Sequence, residues 1–222
     1  EIPASEHEMN PQPQNNHYIE HIEIQKQRFD QLLDQTRYDA VTISSGDSLR
    51  YLFDDQEIDF HANPHFIHWI PLNSPDHLLT ISSNKAVHLR VCQPQSYWND
   101  PISFDKALLP VDIKISLFEN TELLWADFKK MKNHAYIGQD SATARNRGFD
   151  INPATIIARL NWLRAQKTPY EIECIRQANE IAARGHLRAR EEFANNGSEF
   201  DIHLAYIQSV QECEAQLPYR SE

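Results

Sequence analysis

Apolar residues at Tyr18, Ile19, Ile22, Phe29, Leu32 and Leu33 recur in helical steps and predict an amphipathic helix from His17 onward. The pattern then becomes short and β-branched. Tyr38 to Ser44 predicts a first core strand turned by Ser45-Gly46-Asp47, and Ser48 to Phe53 reads as a short helix or turn. A loop through Pro64 is expected to lead into a strand over Phe66 to Leu72. His77 to Ser82 and Ala86 to Cys92 alternate cleanly about Ser83-Asn84, the pattern of an antiparallel hairpin. Further along, Ile113 to Phe118 predicts a strand, Glu122 to Met131 a helix, Ala135 to Gly138 a short strand and Thr143 to Gly148 a helix. This alternation implies a three-layer mixed-sheet α/β domain over residues 17–152. Residues 153–166, with Ile156, Ile157, Leu160 and Leu163 on one face, predict a linker helix.

The strongest local signal begins at Lys167. Thr168 can cap a helix, Pro169 suits its first position, and Glu171 can close a capping box onto Thr168. Ile172, Ile175, Ala178, Ala182, Ala183, His186, Ala189 and Phe193 then form an amphipathic face with small residues at its centre, and Gly197 is the expected terminator. Ser198 and Asp201 open a second helix, with Ile202, Ala205, Tyr206 and Val210 inward.

Composition narrows the function. Residues 1–16 hold three prolines and few apolar residues, so they are expected to form an unordered tail. A net charge of −11 without clustered Lys or Arg argues against nucleic acid and anionic membrane surfaces as partners. No apolar run is long enough to span a bilayer. The three cysteines form no Cys-x-x-Cys pair and read as reduced thiols, which points to the cytoplasm. Cys174 has no base beside it in the sequence and reads as packing. The five glycines never cluster into a phosphate-binding loop.

Few residues suggest chemistry by themselves. His61, His65 and His68 have the spacing of one helix face, and a zinc-binding or sensing protein is one reading of them. Pro64 interrupts that face and no Cys or carboxylate completes a ligand set, which favours a loop. His17 and His21, one turn apart, lack a third ligand. Asp54-Asp55 is a solvated pair or a cap, and Tyr97-Trp98 is either a loop anchor or part of an interface.

Taken together, Lys167-Thr168-x-x-Glu171-Ile172-x-x-Ile175-Arg176-x-Ala178 and Gly197-x-Glu199-Phe200-Asp201-Ile202 resemble the entry to the pita-bread domain of the creatinase, aminopeptidase P and prolidase superfamily. Leu52-Phe53-Asp54-Asp55, Asn63-Pro64-His65-Phe66, Trp69-Ile70-Pro71, Tyr97-Trp98 and Leu217-Pro218-Tyr219 extend the resemblance to proteobacterial Xaa-Pro dipeptidases, relatives of organophosphorus acid anhydrolases.

The resemblance implies a creatinase/prolidase-type amino-terminal domain followed, over residues 167–222, by the first helices of an incomplete pita-bread domain. It implies a homodimer that hydrolyses dipeptides with carboxy-terminal proline, with organophosphate hydrolysis as a further activity. It further implies two manganese ions, held by two Asp, one His and two Glu, that activate the attacking water. Those ligands fall beyond the position of Tyr219, and the sequence runs to Glu222. The expectation is therefore an amino-terminal part with no catalytic residue or metal ligand of its own, and Glu1 in place of Met suits a trimmed product. The resemblance also implies that Asp55 lies on a loop reaching the partner's active site to meet a dipeptide ammonium. It places Trp98 at the substrate side and Tyr219 in a small pocket. A non-catalytic interaction domain of the same fold is the alternative.

Overall fold

The computed structural model describes residues 11–56, 58–94, 110, 112–128, 133–139 and 141–210, with the backbone alone for 11–16. Two compact units divide between Gln166 and Lys167. The first opens with helix α1 (Pro11–Asp34), which starts inside the segment expected as an unordered tail. Its sheet contains β1 (Ala40–Ser44), β2 (Leu78–Ser82), β3 (Val87–Cys92), β4 (Ile113–Phe118), β5 (His134–Ile137) and β6 (Asp150–Ile151). They lie in the order β4-β3-β2-β1-β5-β6. β2 pairs antiparallel with β1 and β3, whereas β1–β5, β5–β6 and β3–β4 are parallel.

Alternation along the strands separates two buried layers. Val41 lies opposite Ile81 and Ala135, and Ile43 opposite Leu79 and Ile137. These residues share the face on which α1 contacts β2 and helix α5 (Ala154–Ala165). Ile22, Phe29, Leu32 and Leu33 of α1, with Ile156 and Leu160 of α5, are buried. Leu78, Cys92 and Tyr136 belong to the other layer. They cluster with Leu124 of α3 (Thr121–Ala126), Ala144 of α4 (Ala142–Asn146) and Phe128, and Trp125 and Phe149 pack against them.

The hairpin appears as its alternation requires. Ser82 N–H donates to the Ala86 carbonyl and Lys85 N–H to the Ser82 carbonyl, with Lys85 in the left-handed region at φ 62°. The strand expected over Phe66 to Leu72 is absent. Pro64 instead opens a short helix, α2 (Pro64–Ile67), whose cap is Asn63: the Asn63 side chain accepts from His65 N–H at 3.0 Å. Proline fits a first helical turn because its missing N–H has no acceptor there, so Asn63-Pro64 starts a helix rather than breaking one. Phe66, Trp69 and Ile70 are buried, with Trp69 edge-on to Phe29 and accepting from Tyr18 Oη through its carbonyl at 2.8 Å.

The second unit contains α6 (Pro169–Ala194) and α7 (Glu199–Val210), which pack together. Both sides of the Thr168–Glu171 capping box are made: Thr168 N–H donates to Glu171 Oε2 at 2.9 Å, and Glu171 N–H to Thr168 Oγ1 at 3.3 Å. Asn196, at φ 59°, takes the left-handed position after α6, and Gly197 N–H donates back to the Glu192 carbonyl at 3.0 Å. Ser198 and Asp201 cap α7 reciprocally. Ile172, Ile175 and Phe193 of the amphipathic α6 face are exposed, and α6 and α7 meet at the buried Gly185. None of the described helices is long and apolar enough to cross a membrane.

Candidate functional site

At the parallel pair β1–β5 the chain leaves neighbouring strands in opposite directions, from β1 toward β2 and from β5 toward β6. A crevice opens outside the carboxyl ends of strands at such a point. Here it is a cavity of about 620 Å³, lined by Ser45, Gly46 and Asp47 after β1, by Gly138 and Gln139 after β5, and by Asn152 after β6. Ile58, Asp59, Phe60 and the segment containing His61, Asn63 and His65 close another side.

Local chemistry fixes this wall. Gly46 adopts φ 113°, which a side chain would strain, and the Phe60 ring lies 3.4 Å from where a Cβ would stand. Gly46 N–H donates to Ser44 Oγ at 3.1 Å, and Asp47 N–H donates to Gln139 Oε1 at 2.7 Å. A Cβ on Gly138 would meet the Ser44 Cβ at 2.8 Å, so β1 and β5 approach closely only because that position is glycine. The Asn152 amide stands in for a further backbone pair: Gly138 N–H donates to its Oδ1 at 3.0 Å, and its Nδ2 donates to the Gly138 carbonyl at 2.8 Å.

Charge at the cavity is acidic. Burial raises the Asp47 carboxyl, and Asp76 is raised by burial and then by the nearby Asp47 charge. Burial, with the Arg164 charge second, lowers His65 to about 4, so its imidazole is neutral at pH 7. Beneath the turn, Cys92 N–H donates to His77 Nδ1 at 3.2 Å. That nitrogen therefore carries no proton, and Nε2–H donates to Ser74 Oγ at 2.6 Å. Burial lowers His77 to about 4.

Asp55 lies in the loop projecting from this cavity. Ile58 N–H donates to the Leu49 carbonyl, Tyr51 N–H to the Gln56 carbonyl and Asp54 N–H to the Tyr51 carbonyl, so the loop closes as a narrow protrusion. At its tip Phe53 sits at φ 62° with its side chain fully exposed, and Asp55 is exposed two residues on. The Gln56 N–H, at 2.9 Å from Asp54 Oδ1, is the main cause holding the Asp54 carboxyl below the usual range. Trp98 and Tyr219 lie outside the described residues. His61 is exposed, His65 half-buried, and His68 bonds through Nε2 to the Gln25 amide at 2.8 Å. Among the described residues no group of three or more His, Cys, Asp or Glu is placed to hold a metal ion.

The mixed six-strand sheet with helices on both faces is the creatinase-type amino-terminal fold, and solved aminopeptidase P structures share it. A putative aminopeptidase P from Bacillus anthracis aligns with a TM-score of 0.60 at 13% identity, covering 83% of this chain and 50% of that one. Escherichia coli aminopeptidase P with the inhibitor Pro-Leu aligns at 0.58 and 15% identity, covering 86% and 49%. Sequence carries the assignment further. The family profile described as Xaa-Pro dipeptidase, N-terminal domain, matches residues 16–162, and the chain belongs to that family. The Xaa-Pro dipeptidase of Pseudoalteromonas haloplanktis is 34% identical over 208 residues, covering 91% of this chain and 47% of that protein. That of Erwinia tasmaniensis is 35% identical over 211 residues, with 91% and 47% covered. The chain thus spans about half the length of the curated relatives it matches.

Proposed function

We propose that this chain is the amino-terminal part of a metal-dependent Xaa-Pro dipeptidase, acting in the cytoplasm as a homodimer on dipeptides with carboxy-terminal proline. The observation that carries the reading is 34% identity to a Xaa-Pro dipeptidase across 91% of the chain. In this reading the chain supplies dimerisation and substrate gating and has no turnover alone. Organophosphate hydrolysis is a further activity of the whole enzyme.

Two manganese ions in the whole enzyme would supply Lewis-acid activation of water near neutral pH. The described residues offer no donor set that fits them, so this chain's part is recognition. Asp55 is exposed at the tip of the protruding loop. In the partner's site its carboxylate accepts from the substrate ammonium, a charge-assisted bond that orients the dipeptide. Trp98 and Tyr219 complete the substrate contacts from outside the described residues.

The test is Asp55→Asn in the native-length protein, assayed with Leu-Pro and manganese. Loss of one charge-assisted contact is expected to raise KM about tenfold, with the sedimentation mass of the dimer unchanged. An unchanged KM overturns the gating role, and a monomeric, fully active protein overturns the dimer.

A further inference from the structure

We infer that a second cavity, where β2, β3 and β4 meet the residues that follow α3, is a binding site for a phosphate group, held by the buried Arg90 guanidinium and the Lys114 ammonium. Its volume, about 280 Å³, falls just below the range of drug-sized ligand sites and suits a small oxyanion.

Strand register brings the cations together. Thr80 of β2 lies opposite His88 of β3, and His88 opposite Lys114 of β4, so the three share one face of the sheet. Arg90, two residues beyond His88, shares that face and is only 7% exposed. Its guanidinium is fixed on three sides: it lies over the Phe128 ring, 4.0 Å from the centroid, while Nε donates to Asp127 Oδ2 at 2.9 Å and Nη1 to Thr80 Oγ1 at 3.0 Å. Nη2 makes no hydrogen bond among the described residues. A donor thus remains on a group that cannot turn away, and Arg90 lines the cavity.

The charge of the ligand follows from the lining. Arg90 and Lys114 stand against one carboxylate, Asp127, whose Oδ2 is already taken by Arg90. Lys114 has neither a hydrogen bond nor an ion pair among the described residues, although the chain carries a net charge of −11. Both cations are felt at the His88 ring between them: burial first, then the Arg90 and Lys114 charges, lower it to about 4 against the weaker pull of Asp127. The imidazole is therefore neutral at pH 7, and the cavity keeps a net positive charge. An oxyanion neutralises it. The guanidinium fork matches phosphate or carboxylate oxygens, and lysine meets phosphate as a point charge. With the Ser82 hydroxyl also on the lining, the donors outnumber the two oxygens of a carboxylate and fit those of a phosphate group.

The experiment is titration of the whole chain with sodium phosphate at pH 7, with sodium chloride holding the ionic strength constant, followed by amide chemical shifts. Saturable shifts confined to residues near His88, Arg90 and Lys114 are expected. Lys114 is exposed, so Lys114→Gln leaves the packing in place and is expected to weaken binding about tenfold. Glycerol 3-phosphate, titrated in parallel, separates the two sources of the group: tighter binding than the free ion assigns a phosphomonoester, and equal or weaker binding assigns inorganic phosphate. Non-saturating shifts, shifts spread over other basic residues, or undiminished binding by a folded Lys114→Gln overturns the proposal. Saturation and its location on the unmutated chain decide it even if the variant does not fold.

Discussion

Gly185 of α6 lies directly against Tyr206 of α7: a Cβ at the glycine would stand 2.6 Å from Cε2 of the tyrosine. The same atom would fall 2.6 Å from Cγ1 of Val210. Neither neighbour is the free end of a flexible chain, so the helices must separate to admit a methyl group. Replacing a mid-helix glycine by alanine gains about 1 kcal/mol of helix propensity, whereas overpacking costs about 1–3 kcal/mol. Gly185→Ala is therefore expected to destabilise the α6–α7 unit on balance, seen as a lower urea midpoint by far-UV circular dichroism. A higher midpoint would show that the helices can spread at no cost.

Acid should unfold the first unit before its carboxylates matter. His77 and His134 are buried, and burial lowers each to about 4 from an ordinary value near 6.5. The unfolded chain thus binds more protons than the folded one between about pH 6.5 and 4. The stability these neutral imidazoles contribute is fully present above pH 6.5 and is lost as pH falls through that window. The expected loss is on the order of a few kcal/mol, measured as ΔG of urea unfolding at pH 7, 5.5 and 4. His77→Gln should flatten the slope, because the amide has no proton to gain.

Arg90 is buried between sheet and Phe128, with Nε donating to Asp127 Oδ2 at 2.9 Å and Nη1 to Thr80 Oγ1 at 3.0 Å. Asp127→Ala leaves that guanidinium short of a counter-ion. Asp127 is partly exposed, so the cost is set below that of a fully buried pair, at about 1–3 kcal/mol. Thermal unfolding of the variant checks it.

Asn63 caps α2 through its side chain. Asn63→Ala should cost about 1 kcal/mol and speed hydrogen exchange at His65 while leaving the hairpin amides of β2 and β3 unchanged.

The capping box at Thr168, the hairpin and the linker helix were legible because each depends on neighbours in sequence. Asn63-Pro64 was equally local. Its signal, a capping residue followed by a first-turn proline, starts α2, although the same proline interrupts the face shared by His61, His65 and His68. The apolar periodicity of α6 marks a face that is exposed at Ile172, Ile175 and Phe193, whereas the α7 contact at Gly185 is a tertiary choice that periodicity does not reveal. The cavity was not legible at all. Its walls come from residues 45–47, 58–65 and 137–139, which meet only when β1 pairs parallel to β5; Gly46 and Gly138 were the sole local hints. Of the expected substrate contacts, Asp55 is found on an exposed loop tip, while Trp98 and Tyr219 fall outside the described residues.

The most direct measurement is manganese-stimulated release of proline from Leu-Pro by the native polypeptide isolated from its source, with the 222-residue chain assayed in parallel. Turnover is expected from a native polypeptide longer than this chain and none from the chain alone. Turnover by the chain alone, or a longer native polypeptide that leaves Leu-Pro intact, would contradict it.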